Sequence, residues 1–87
     1  MKKIVIKNKI LKDLKKVDKQ LQKNIYNWID KNLQNCINPR EKGKALSYNR
    51  VGQWRYRIGN YRLICEIKDK ELIILALEFG HRKNIYK

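Results

Sequence analysis

The chain reads as an α+β domain of order β-α-α-β-β-β, with two helices packed on one face of a small, mainly antiparallel sheet. Three observations predict this. Apolar residues recur at three-and-four spacing through the first half, alternation around a two-residue hairpin loop governs the second half, and the run Leu72-Ile73-Ile74-Leu75-Ala76-Leu77 is apolar on both faces, as a central strand must be. At 87 residues, with no repeat, low-complexity tract or Pro/Gly/Ser linker, residues 1–87 form a single domain with a thin core.

The first strand, Lys3 to about Lys7, has the β-branched centre Ile4-Val5-Ile6. Ile10, Leu11 and Leu14 mark a first helix, about Asn8 to Lys16. Leu21, Ile25, Trp28, Ile29 and Leu33 mark a second, about Lys19 to Gln34, with Asp18 as its N-cap. The lysines on the opposite faces of both helices read first as a solvated surface and second as a nucleic-acid- or antagonist-binding one. Asn38-Pro39-Arg40 ends the helical region, and a basic loop containing Gly43 runs on to Gly52. Strands follow at about Gln53 to Ile58, Tyr61 to Lys68 and Glu71 to Phe79, the last two joined by a turn at Asp69-Lys70. The strand from Trp54 is expected at a sheet edge, with the N-terminal strand on the far side of the central one.

Gly59-Asn60 is a favoured two-residue loop, which pairs Ile58 with Tyr61 and sets Arg57 directly opposite Arg62. Facing side chains sit about 5 Å apart at Cβ, and like charges there destabilise by some tenths of a kcal/mol. Arg55, two residues back on the same face, makes the cluster three. An anionic ligand turns this liability into an asset, and phosphate fits arginine geometry best; the alternative is that Glu66, diagonal to Arg55, and solvent relieve the repulsion on an exposed edge. Trp54, Tyr56, Ile58, Tyr61, Leu63 and Cys65 share the other face, which packs on the helices.

Composition agrees. With 22 Lys plus Arg against 8 Asp plus Glu, the formal net charge is +14, far more than solubility requires. A polyanionic partner follows, nucleic acid before acidic protein or membrane surface. Lys42, Lys44 and Arg50 in the loop and Lys83 in the tail are candidate phosphate contacts. The longest apolar run is too short to span a bilayer, and Ile4-Val5-Ile6 is too short for a signal-peptide core, so no membrane association and a cytoplasmic location are expected. Cys36 and Cys65 stand alone, with a single histidine in the chain, so no metal and no cofactor are expected. Cys65 reads as a small core residue.

The hairpin Trp54-Arg55-Tyr56-Arg57-Ile58-Gly59-Asn60-Tyr61-Arg62-Leu63-Ile64, followed by Gly80-His81-Arg82-Lys83-Asn84-Ile85-Tyr86, resembles the RelE-type toxins of bacterial type II toxin-antitoxin modules. The match is specific from about Gly52 to Tyr86, and the first half agrees in length and pattern. The resemblance implies a ribosome-dependent endoribonuclease that cuts mRNA in the A site, with a cognate antitoxin, the ribosome and mRNA as partners. It implies 2′-hydroxyl attack on the adjacent phosphate, with Arg57 and Arg62 on the phosphate charge and Arg55 near the nucleophile. Arg82 then lies near the leaving group, Tyr86 stacks on or orients a base, and His81 is the candidate proton donor.

Several sources for the base stay open. Arg55 cannot readily release a proton, Glu66 is better explained as a partner for Arg55, and Glu78 is expected on the helix-facing side. His81 is another candidate, and ribosomal positioning with electrostatics is a further route. The related ParE-type toxins, which act on DNA gyrase, are the competing reading, and a basic RNA-binding module without turnover is the third.

Overall fold

The computed structural model describes residues 2–81, without the side chain of Tyr48. The elements are β1 (Lys3–Ile6), α1 (Asn8–Lys15), α2 (Lys19–Asn32), β2 (Lys44–Ala45), β3 (Gln53–Ile58), β4 (Tyr61–Lys68) and β5 (Ile73–His81). Short 3₁₀ turns at Pro39–Glu41 and Tyr48–Arg50 punctuate the loop before β3.

The sheet order is β1-β5-β4-β3-β2. β1 pairs parallel with β5, and the remaining pairs are antiparallel. The apolar strand is central, as its sequence requires, with β1 on its far side. Two expectations change. The edge next to β3 is covered by β2, a strand too short to have a sequence period of its own, so β3 is an interior strand. The turn between β4 and β5 extends to Leu72, whose φ of 57° breaks the strand there, and β5 runs on to His81.

Asp18 caps α2 as its position demands, its Oδ1 accepting from the Gln20 N–H at 2.8 Å. Ile10 and Leu14 of α1 and Ile25 and Ile29 of α2, with Leu33, are buried against Tyr56, Ile58, Leu63, Cys65, Ile74, Ala76 and Phe79 of the sheet. Both helices therefore cover one sheet face. Trp28 of α2 meets Tyr56 with ring centroids 5.9 Å apart, and the Tyr56 hydroxyl donates to the Pro39 carbonyl at 2.5 Å. Burial raises the Tyr56 phenol and pushes the Cys65 thiol up to about 12, so both stay neutral.

Outside the core, Asp69 in the β4–β5 turn takes a two-pronged contact from Arg40 (3.1 and 2.9 Å) and an ion pair from Lys2 at 3.3 Å. It thereby ties the loop before β2 to the start of β1. Hydrogen bonds from Arg40 and Lys2 lower its pKa to about 2.

Candidate nucleic-acid interface

The β3–β4 hairpin has the register its loop dictates. Ile58 pairs with Tyr61 and Arg57 with Arg62, while Gly59 takes φ 59°, a conformation that favours glycine. Alternation then sorts the side chains: Tyr56, Ile58, Leu63 and Cys65 enter the core, and Arg55, Arg57 and Arg62 stand on the face away from the helices.

Neighbouring strands extend that cluster into two rungs. One runs Lys44, Arg55, Ile64, Glu78 across β2 to β5, and the next runs Arg57, Arg62, Gly80. Ile64, between Arg55 and Glu78 on this rung, is only 1% exposed. Arg57 is exposed and Arg55 half-buried, while Arg62, 7% exposed, is the buried charged residue among the described residues. A guanidinium so withdrawn from water interacts more strongly with an arriving anion than a surface one does.

The position of Lys44 depends on Gly43. At φ 79°, a Cβ there would lie 2.2 Å from the Arg55 carbonyl oxygen and 2.8 Å from the Trp54 indole nitrogen. Glycine lets the loop come this close, and the Trp54 Nε1–H donates to the Lys42 carbonyl at 2.6 Å. Lys44 is thereby held opposite Arg55. Lys42 contributes its carbonyl to this joint and stands outside the rungs.

Arg50 reaches the same face from the loop. Its Nε donates to Gln53 Oε1 at 2.9 Å and its Nη2 pairs with Glu78 Oε2. Glu78 is thus on the arginine side, contrary to the sequence expectation. The cause is a register shift: Cys65 pairs with Ala76 but Ile64 pairs with Glu78, leaving Leu77 as an extra residue. Every side chain of β5 beyond the bulge changes face.

The same flip moves His81. It pairs with Tyr61 on the helix side, its ring edge-on to the Tyr61 ring at 5.5 Å, and Tyr61 in turn stacks on Phe79 at 5.2 Å. His81 borders a cleft of about 510 Å³ shared with Lys9, Asp13 and Lys16 of the α1 region, and Glu78 also contributes to its lining. His81 therefore stands on the opposite sheet face from Arg55, Arg57 and Arg62, contrary to the expectation that it joins them. Arg82, Lys83 and Tyr86 lie outside the described residues. Sequence reasoning missed Gln53 and the true side of Glu78, because Leu72 to Leu77 has no alternation in which a bulge shows.

A two-layer α+β fold with a cationic open face defines a small RelE-like domain. The model of the ParE toxin of type II toxin-antitoxin systems matches residues 4–86, and the chain belongs to that family, within the RelE/ParE superfamily. It is a toxin-antitoxin toxin.

Solved structures agree on the fold. The toxin-antitoxin complex RelBE2 from Mycobacterium tuberculosis is similar at 23% identity and TM-score 0.82, covering 93% of this chain and 98% of that one. The archaeal RelE-RelB complex from Pyrococcus horikoshii is similar at 24% identity and TM-score 0.73, with 95% and 97% covered. The RelB-RelE antitoxin-toxin complex from Methanococcus jannaschii is similar at 29% identity and TM-score 0.64, with 95% of each covered. A search of curated proteins finds no match.

Proposed function

We propose that the chain is a ribosome-dependent endoribonuclease that cuts mRNA in the A site by 2′-hydroxyl attack and so inhibits translation. The observation that carries this reading is the Arg57–Arg62 rung, with Arg55 and Lys44 on the rung beside it. Such a face is poor for stability and well suited to a phosphate whose charge grows in the transition state. Arg57 and Arg62 hold the non-bridging oxygens, and Arg55 lies toward the nucleophile. Lys44 and Arg50 neutralise flanking phosphates, with Lys42 and Lys83 at the periphery. Arg82 stabilises the leaving oxygen and Tyr86 stacks on a base. Because His81 pairs with Tyr61 on the helix side of the sheet, the leaving oxygen takes its proton from water.

The partner that restrains the toxin is a cognate antitoxin, with an acidic or amphipathic segment that folds as it binds. Net charge supports this, and similar toxins were solved in complex with RelB. The setting is the cytoplasm, where ribosomes and mRNA are found.

Purified translation of a defined message, with primer extension, tests the proposal. Cuts within the A-site codon are expected to need ribosomes and to disappear with Arg82→Ala. An uncut message overturns it. A second reading, gyrase inhibition, is favoured by the family model itself, which describes a ParE toxin. Loss of supercoiling activity by purified gyrase on adding the intact chain, with the message left whole, selects that reading.

A further inference from the structure

The reaction proposed above lacks a proton acceptor, and the β5 bulge supplies one. We propose that Glu78 is the general base that takes the proton from the attacking ribose 2′-hydroxyl. This inference rests on the ribonuclease reading.

Four observations carry it. Without the bulge, Glu78 would follow Ile74 and Ala76 toward the helices; with Leu77 extra, it enters the arginine face at the end of the Lys44–Arg55–Ile64 rung. It stands diagonal to Arg62, one rung from the phosphate-holding pair, a separation of about 7–8 Å that side chains of this length span with a phosphodiester between them. Its neighbour across from Arg62 is Gly80, which adds no side chain, so the face beside Arg62 is not crowded from β5. Arg50 fixes the carboxylate through Oε2, yet the Glu78 side chain stays 41% exposed and within reach of RNA.

The alternatives on this face are weaker acceptors by chemistry or place. Arginines do not release or accept protons near neutral pH. Glu66 sits opposite Gln53, a further rung from the Arg57–Arg62 pair.

The step balances. The 2′-hydroxyl proton passes to a Glu78 carboxylate oxygen as the 2′-oxygen bonds to phosphorus. The bond from phosphorus to the 5′-oxygen breaks, and that oxygen leaves with the electron pair and takes a proton from water. Protonated Glu78 neutralises the hydroxide so formed, and the products are a 2′,3′-cyclic phosphate and a 5′-hydroxyl.

Glu78 is also the counter-charge of Arg50, so the test separates a catalytic from a purely structural carboxylate. Single-turnover cleavage of ribosome-bound message is measured against pH for the intact chain, Glu78→Gln and Arg50→Gln, with binding to programmed ribosomes measured in parallel. Glu78→Gln is expected to cut slower on the order of a hundredfold or more at unchanged ribosome affinity. The intact chain is expected to cut more slowly on acidification, and Glu78→Gln to lose that fall. Arg50→Gln breaks the same ion pair but keeps the carboxylate, and is expected to retain that acidic limb even where its rate drops.

The charged groups that share a contact, a face or a cleft with Glu78 are its ion-pair partner Arg50, Arg55 and Lys44 farther along its rung, Arg62 and Glu66 on the adjacent rungs, and Lys9, Asp13, Lys16 and His81 around the cleft that Glu78 also lines. A His81→Gln control assigns the limb to one carboxylate by leaving it in place. Cleavage by Glu78→Gln at the intact rate, equal losses in Glu78→Gln and Arg50→Gln with the acidic limb kept in both, or a limb that vanishes with His81→Gln overturns the inference while the ribonuclease reading stands. If the intact chain cuts nothing, the reading itself has failed.

Discussion

The two faces of the β3–β4 hairpin are built from the same twelve or so residues and obey opposite rules. Toward the helices, Tyr56, Ile58, Leu63 and Cys65 are buried and apolar or kept neutral by burial. On the side away from the helices, Arg57 faces Arg62, with Arg55 on the next rung. One face is apolar, and the other sets like charges opposite each other. The difference teaches that stability and ligand-binding charge are segregated by strand alternation, so each can be perturbed with little effect on the other.

The largest effect should come from the buried face. Leu63→Ala removes a side chain that is 1% exposed, and a loss of about 2–5 kcal/mol in denaturant unfolding is expected. A loss below about 1 kcal/mol would mean that the helices do not seal this face. Arg57→Ala is the mirror case. Cleavage is expected to fall about a hundredfold, as for removal of one transition-state charge donor, while the unfolding free energy moves by no more than about 0.5 kcal/mol and in the stabilising direction. If activity and stability fall together, the two faces are not independent.

A smaller effect tests the joint between them. Gly43→Ala places a methyl group where only 2.2 Å separates it from the Arg55 carbonyl and requires a positive φ, so β2 should detach at a cost of about 1–3 kcal/mol. RNA affinity should become less salt-dependent as Lys44 leaves the rung, which a titration of binding against salt would show. An unchanged salt slope would remove Lys44 from the interface.

The smallest effect concerns acid. Because Arg40 and Lys2 hold the Asp69 pKa down to about 2, its contribution to stability is present above about pH 4 and is lost as the pH falls toward 2. Asp69→Asn should flatten that part of the stability-versus-pH curve and leave cleavage at neutral pH unaltered. A variant as acid-sensitive as the parent would assign the loss to other carboxylates.

Elements whose information is local were legible from the residues. Asp18 as a cap, Gly59-Asn60 as a hairpin loop and the resulting Arg57–Arg62 pair depend on neighbours a few positions apart, and the structure has them where the pattern put them. The two-residue strand β2 was not legible, since two residues carry no period. Nor was the side of Glu78 or His81: a run apolar on both faces looks the same with or without an extra residue.

By itself, then, the sequence determined the α+β order, the core-facing positions of the helices and of the β3–β4 hairpin, the strong positive charge and three arginines on one face, all consequences of composition, periodicity and turn chemistry. Only the tertiary structure decided that β5 bulges at Leu77, bringing Glu78 to the arginines and turning His81 toward α1. Pairing register is fixed between strands, where the fit of β5 against β4 selects a bulge that the apolar run alone does not record.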